Sequence, residues 1–295
     1  MRVLVTGATG FVGKYLLEFL KNDTSYEIYG LTRKEVPAEN FLACDYSSPQ
    51  LKDIFIKYNI DIIVHLAAIR GKDKGIKQFQ ENEILTENIL HATKETKVKH
   101  IIFLSSIAVY SDVKRIPWKE EQVITPKTCY GITKAACEYL VELYAKEYQY
   151  SYTILRVAQV LGLGETHAGM MNKFIEQAYK KQELKVLGKS KAKREFVYIK
   201  DIAKVISTIV KDYQKCSGVY NLGSMSAYSN LQIAMMINSI FENSKLYYQD
   251  EIPENIESSM MDSRKLYKTI DFTPTPLEKA FEEILKEMRK RDDLQ

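Results

Sequence analysis

An α/β fold built on a doubly wound parallel sheet is the architecture that this 295-residue sequence predicts. Three observations carry the prediction. Apolar runs of strand length alternate with amphipathic stretches of helix length, the order that lays helices on both faces of a parallel sheet. One of those runs, residues 60–68 (IDIIVHLAA), is nearly continuous in apolar residues, as a central parallel strand buried on both faces must be. Residues 2–13, RVLVTGATGFVG, read as a short buried strand that turns sharply into a helix through glycines spaced by three.

That first turn also points to a ligand. Gly7 permits a turn that a side chain would obstruct, Gly10 lets backbone N–H groups approach a pyrophosphate, and Gly13 lets the new helix pack on the strand. Thr9 stands where the usual dinucleotide fingerprint has a glycine, so the pattern is a variant of it. Phe11 and Val12 open the helix whose N-terminus faces the anion. The implied architecture is a Rossmann-type doubly wound sheet.

Composition bounds the rest. At 45% hydrophobic residues the chain can bury a large core, as one big domain or as a domain with a smaller partner. No apolar run reaches the roughly 20 residues of a membrane helix. Met1 leads straight into a strand and leaves no room for a signal peptide, so a cytoplasmic protein without a membrane partner is expected. Cys44, Cys129, Cys137 and Cys216 are scattered without metal-ligand spacing and read as reduced packing thiols, with no metal site. The formal charge of +4 is modest, and no nucleic-acid-binding signature accompanies it.

After the first helix, residues 26–31 form a second strand whose end bears on the cofactor. Rossmann units that bind NAD place an acidic residue there for the adenosine ribose. This chain has Thr32, Arg33 and Lys34 instead, a cationic pair suited to the extra phosphate of NADP, which is favoured over NAD. Residues 41–45 give a third strand with Asp45, followed by Tyr46, at the adenine edge, and residues 51–58 have helical spacing. His65 sits among apolar neighbours and reads as a structural core histidine. Leu66, Ala67 and Ala68 end that strand, with Arg70 just beyond them. A long helix over 78–95 carries Asn82, Thr86 and Asn88, and residues 101–104 return as a strand.

That strand ends in Ser105 and Ser106, at the sheet edge where parallel strands bind ligands. Tyr130 and Lys134, at i and i+4, share one face of a helix over 130–148, so the ammonium can stand near the phenol and favour its ionised form. Tyr130 is thereby a candidate proton shuttle. Further on come a strand over 152–158, helices over 170–181 and 202–210 (the latter capped by Asp201), a short strand over 184–188, and the basic run KSKAKR at 189–194. Segments 230–241, 245–249 and 277–291 follow, and KEMRKRDDLQ reads as an exposed helix end.

Taken together, TGATGFVG, HLAA, SSIAVY, YGITK, LRVAQVLG, REFVYIKDIA and YNLG, with the Asp45 strand end, resemble in order the extended short-chain dehydrogenase/reductases, in their nucleotide-sugar epimerase, dehydratase and reductase branch. The resemblance covers almost the whole chain. It implies a dinucleotide-binding region over 1–165, with Leu66, Ala67 and Ala68 beside the dinucleotide and strand and helix returns near 196–222, and a mainly substrate-binding region over 166–295, a small C-terminal α/β lobe that includes segments 230–241, 245–249 and 277–291. It implies Tyr130 as acid/base, Ser106 as hydrogen-bond partner of the reacting oxygen and Lys134 at the nicotinamide ribose. Substrate contacts are implied at Arg70, Ser106, Gln159, Asn172, Val186, Arg194 and Arg264, with Arg194 on the diphosphate. Gln159 replaces a usual asparagine and Val157 a usual proline, and Pro253-Glu254-Asn255-Ile256 stands where the family often has an arginine clamp. A homodimer through a four-helix bundle of 78–95 and 130–148 is also implied.

Among the family's reactions, a 4,6-dehydratase has an acidic pair after the serine or threonine, and a 3,5-epimerase/reductase a cysteine; Ile107 and Ala108 stand here. Two activities remain: an NADPH-dependent 4-ketoreductase of a nucleotide-diphospho-4-keto-6-deoxyhexose (dTDP- or GDP-linked), and a 4-epimerase of UDP-hexoses or UDP-N-acetylhexosamines with tightly held NAD. Arg33 favours the first. A non-catalytic NADP-sensing regulator would be expected to have lost the tyrosine or lysine, and both are kept.

Overall fold

The computed structural model describes all residues except 22, 71–74, 166–168, 255 and 294–295. The last two fall in the KEMRKRDDLQ tail and 255 in the PENI stretch, so those parts of the sequence reading lie outside the described residues.

The elements follow the predicted alternation. β1 (Arg2–Thr6), α1 (Phe11–Leu20), β2 (Glu27–Thr32), β3 (Phe41–Ala43), α2 (Ser48–Lys57), β4 (Ile62–His65), α3 (Ile76–Ala92), β5 (His100–Ser106), α4 (Cys129–Tyr148) and β6 (Ser151–Val157) come first. β7 (Gln159–Leu161), α5 (Met170–Tyr179), β8 (Leu184–Leu187), β9 (Lys193–Tyr198), α6 (Ile199–Lys211) and β10 (Gly218–Leu222) follow. β11 (Ala227–Ser229), α7 (Asn230–Ile240), β12 (Leu246–Gln249), α8 (Arg264–Ile270) and α9 (Leu277–Asp292) complete the order.

Seven strands form one parallel sheet in the order β10-β6-β5-β4-β1-β2-β3. Strand order reverses between β1 and β4, and such a switch point opens a crevice at the carboxyl ends of the strands. The central strands bury both faces, which explains their unbroken apolar sequence. Val3, Val5, Ile62, Val64 and Ile102 join one core, while Leu4, Ile63, Ile101 and Phe103 join the core on the other face.

Two features depart from the sequence reading. The chain leaves the large sheet after Ala158, and Gln159–Leu161 pairs with Phe196–Tyr198 of β9, in a small sheet that β11 completes. Three-residue strands such as β7 and β11 are too short to show a period. Asp201 is not a cap: it lies inside the first turn of α6, and its carboxylate accepts the N–H and hydroxyl of Thr275 at 2.8 and 2.7 Å. That pair ties α6 to the segment leading into α9. Among the described residues, no helix is long and apolar enough to cross a membrane, and no cluster of three metal-ligating side chains occurs.

Candidate active site

The glycine loop is held against the end of β4 by buried polar contacts. Gly7 has φ +66°, and a β-carbon there would lie 2.8 Å from the Ala67 nitrogen, so the loop can close on the 66–68 segment only as glycine. Thr6 Oγ1 accepts the N–H groups of Leu66 and Ala67 at 3.2 and 3.1 Å. Its own proton is then directed to His65 Nδ1 at 2.8 Å, and the His65 Nε2–H faces Thr86 Oγ1 at 3.1 Å. Thr86 in turn donates to the Asn82 carbonyl at 2.7 Å. The Asn82 amide completes the chain by clasping the backbone of Ile69, accepting at 2.6 Å and donating at 3.1 Å. Burial, and then the Lys134 charge, push His65 down to about 3, so it stays neutral as this relay requires. His65 is thus a structural residue, as its surroundings in the sequence suggested, but one that shapes the dinucleotide cradle.

Ser106 and Tyr130 are brought together by a close approach of α4 to the end of β5. Ser106 Oγ accepts the Ala108 N–H at 3.1 Å, which fixes the tight turn after the strand. Thr128 caps α4, its hydroxyl accepting the Gly131 N–H at 3.0 Å. Gly131 lies directly on the Ala108 carbonyl, where a β-carbon would collide with it. Helix and turn are therefore pressed together one residue away from Tyr130, which lines the same cleft as Ser106. The Phe79 ring meets the Tyr130 ring at 5.7 Å.

Burial raises Tyr130 above its ordinary value, while the Arg70 charge and then the nearby Ser106 side chain act in the opposite direction. The leading cation at the phenol is therefore Arg70, where the sequence had put Lys134. The Lys134 ammonium instead donates to the Leu104 carbonyl at 2.7 Å and stands 4.5 Å over the Phe103 ring. Its burial lowers it to about 8. Arg70 is itself held by Glu165 across the cleft at 2.9 Å.

Beneath this layer is a buried network that sequence reasoning missed. Arg156 makes a bidentate pair with Glu138, with its shortest N···O at 2.7 Å, and Glu138 also accepts from Ser105. Arg156 Nη1 donates to the Tyr110 hydroxyl at 2.7 Å, which donates to Asn221 at 2.9 Å. The available signal was Glu138 one turn beyond Lys134, together with a lone arginine in the apolar strand β6. Charges this deeply buried have to be paired, and here they lock β5, α4 and β6 in register under Ser106.

Two adjoining hollows lie over the switch point. A cleft of about 350 Å³ is lined by Gly7, Gly10, Phe11, Val12, Gly13, Leu66, Ala67, Ala68, Arg70, Ser106, Tyr130, Lys134, Gln159 and Glu165, among others. The second, about 300 Å³, takes in Thr9, Thr32, Arg33, Tyr46, Glu81 and Asn82. A larger hollow of about 780 Å³ at the β3 edge contains none of the candidate residues.

The structure thus gathers most of the predicted cofactor residues and separates a few. Asp45 is exposed and turned back to the Ser47 N–H at 2.7 Å, away from both hollows; its neighbour Tyr46 lines the second. Lys34 lines neither; its carbonyl accepts the Thr32 hydroxyl at 2.7 Å. Asn82 lines the second hollow, but its amide is occupied by Ile69.

On the substrate side, Asn172 reaches the Glu165 carbonyl at 3.5 Å. Val186 is buried in the core, so its side chain is not available to a substrate. Arg264 is exposed and paired with Asp262. Arg194 donates to Asn230 at 2.8 Å, with its Nε buried and without a partner. The cradle itself fits a dinucleotide. A β-carbon on Gly10 would lie 3.0 Å from the Gly7 oxygen, and the N-terminus of α1 behind Gly10 has no side-chain cap of its own.

A doubly wound sheet, a glycine turn at its switch point and a Ser–Tyr–Lys constellation at the mouth define a dinucleotide-dependent oxidoreductase of the short-chain type. Residues 3–223 match the NAD dependent epimerase/dehydratase family, and the chain belongs to that family as an NAD(P)-dependent enzyme of the extended short-chain dehydrogenase/reductase superfamily. The chain is similar to the crystal structure of UDP-N-acetylglucosamine 4-epimerase from Bacillus cereus, with 36% identity, a TM-score of 0.91, and coverage of 98% of this chain and 99% of that one. It is 26% identical to GDP-6-deoxy-D-talose 4-dehydrogenase of Aggregatibacter actinomycetemcomitans over 303 residues, 97% of each chain. It is 28% identical to dTDP-D-glucose 4,6-dehydratase of Dictyostelium discoideum over 269 residues, 81% of this chain and 62% of that protein. These relatives are nucleotide-sugar-modifying enzymes.

Proposed function

We propose that this chain is an NADPH-dependent 4-ketoreductase acting on a nucleotide-diphospho-4-keto-6-deoxyhexose. The observation that carries the cofactor choice is the end of β2. Thr32 and Arg33 line the hollow next to the glycine loop, and residues 31–34 at the strand end carry no carboxylate for a ribose; the carboxylate lining that hollow, Glu81, comes from α3. Arg33 is exposed and only loosely paired with Glu81 at 3.6 Å, so its guanidinium can turn to a 2′-phosphate. The 4-dehydrogenase relative, named for a GDP-6-deoxyhexose, supports the substrate class. Ile107 and Ala108 after Ser106 supply neither acid nor thiol for dehydration or 3,5-epimerisation.

A bound nicotinamide supplies the hydride. The protein's own part is the proton and the charge. Tyr130 gives its phenolic proton to the carbonyl oxygen as C4 is reduced, and Ser106 hydrogen-bonds that same oxygen where negative charge develops. Arg70, whose charge already favours ionised Tyr130, stabilises the phenolate left behind. In this reading Lys134 holds the ribose and Arg194 the substrate diphosphate.

A second reading, 4-epimerisation of a UDP-N-acetylhexosamine, is favoured by the 36% identity to the Bacillus cereus enzyme. One pair of assays separates the two. The first reading expects NADPH oxidation with dTDP- or GDP-4-keto-6-deoxyhexose and no interconversion of UDP-N-acetylhexosamines without added cofactor. The opposite pair of results would replace it with the second.

We also propose a homodimer. Ile84 of α3 and Ile132, Tyr139 and Leu143 of α4 are exposed apolar side chains on two helices that pack on each other, which supports a shared helical face.

A further inference from the structure

The segment after β12 passes the start of β9, and there the chain places a carboxylate on an anion-binding loop. The consecutive backbone N–H groups of Lys191 and Ala192 both point at Glu254, at 2.9 Å to one carboxylate oxygen and 3.3 Å to the other. Backbone amides converging in this way form a concavity suited to an anion. The loop is held in that shape from both sides. Ser190, at φ +52°, accepts the Leu231 N–H of α7 at 2.8 Å, and Ser258 accepts the Lys193 N–H at 3.0 Å. Glu254 is brought there by the irregular segment after β12 passing Gly188, with the Ile252 carbonyl and the Glu254 β-carbon each 3.4 Å from where a Gly188 side chain would begin.

Two residues farther along is Arg194. Its guanidinium has one hydrogen-bond partner, Asn230, and a buried Nε without any. No carboxylate of the described residues forms an ion pair with it. Burial lowers it from its ordinary value, and the charge acting against that burial is Glu254. Lys189, Lys191 and Lys193 add positive potential around the same loop. Two amides thus hold the Glu254 carboxylate directly, and Arg194, which feels its charge without pairing to it, and three lysines of the same loop make the surroundings positive.

We propose that Glu254 is a built-in competitor at this site: a phosphate of the substrate's diphosphate binds beside Arg194 by displacing the Glu254 carboxylate from the Lys191 and Ala192 amides. This rests on the nucleotide-diphosphate reading above and adds a residue that sets affinity within it. The alternative role, a carboxylate that merely props the loop, predicts the opposite sign. Removing a competitor tightens ligand binding, whereas removing a prop loosens the loop that carries Arg194 and weakens it.

Isothermal titration of the full chain with UDP, dTDP and GDP, as wild type and as Glu254→Gln, reads that sign directly. Glutamine keeps the shape and one acceptor while losing the charge. The diphosphate that binds is expected to bind the variant about fivefold tighter. The gain should vanish in the Arg194→Met background, and the matching nucleoside should bind both forms alike. Equal or weaker diphosphate binding by Glu254→Gln overturns the competitor role and leaves the function reading standing. Failure of all three diphosphates to bind either form overturns both.

Discussion

At the scale of single residues, the site depends on side chains whose partners lie far away in sequence. His65 shows this most clearly. Its ring joins Thr6 on β1 to Thr86 on α3, and through Asn82 it fixes the backbone against which Gly7 packs. Because burial lowers it from 6.5 to about 3, folded His65 stays neutral while the unfolded chain takes up a proton. The stability it supports is full above pH 6.5 and is lost as pH falls from there toward 3. His65→Gln should therefore be less stable than wild type at pH 7.5, and the gap should close by about 1.4 kcal/mol for each pH unit below 6. Urea unfolding at pH 7.5, 6 and 5 checks this, and a gap that stays constant would mean that His65 does not titrate on unfolding. The sequence identified His65 as structural from its apolar neighbours. It could not give the relay, because Thr6, Thr86 and Asn82 follow no local period.

The same limit separates residues placed well from those placed poorly. Gly7, Gly10, Ser106 and Tyr130 were legible because a turn, a strand end and a helix face fix them by spacing. Asp45 and Val186 were assigned by position in a motif, and their side chains turn to Ser47 and into the core. Lys134 shares a helix face with Tyr130, yet a nearby carbonyl, Leu104, takes its ammonium. Glu138 and Arg156 were invisible as a pair because their bond is a tertiary contact.

At the scale of elements, the active constellation depends on the junction of α4 with the turn after β5. The Thr128 cap and Gly131 against Ala108 hold Tyr130 over Ser106. Gly131→Ala must push helix and turn apart, since the collision is with backbone and cannot be relieved by a rotamer change. An overpacking cost of about 1–3 kcal/mol is expected in thermal or urea unfolding, together with a larger loss of kcat than of cofactor affinity. Unchanged stability and turnover would show that the close approach is dispensable. Helices α1 to α6 and strands β1 to β6 and β8 fall on segments read from hydrophobic spacing, whereas β9, β10, α7, β12 and α9 were reached through the resemblance. β7, β11 and α8 were not read, because they are short and no bounded apolar run marks them off. β7 matters most, since it carries the chain out of the main sheet at Gln159, on the wall of the cleft.

At the scale of the whole molecule, α3 and α4 serve two purposes. Their inner sides position Asn82, Tyr130 and Lys134, and their outer sides leave Ile84, Tyr139 and Leu143 exposed. If those outer sides form the dimer, Leu143→Glu should shift the chain to monomer in analytical ultracentrifugation with its fold intact by circular dichroism. A wild-type monomer at micromolar concentration, or a Leu143→Glu dimer, would contradict that assembly.

The function also belongs to this scale, because the glycine cradle, Arg33 and the Ser106–Tyr130 pair must act on one bound pair of molecules. The most direct measurement gives the enzyme NADPH deuterated at the transferable C4 position, with dTDP- or GDP-4-keto-6-deoxyhexose, and reads the sugar product by NMR. A 4-ketoreductase places one deuterium at sugar C4 for each NADPH oxidised. A sugar that carries no deuterium from NADPH, together with unlabelled interconversion of UDP-N-acetylhexosamines, would contradict the account.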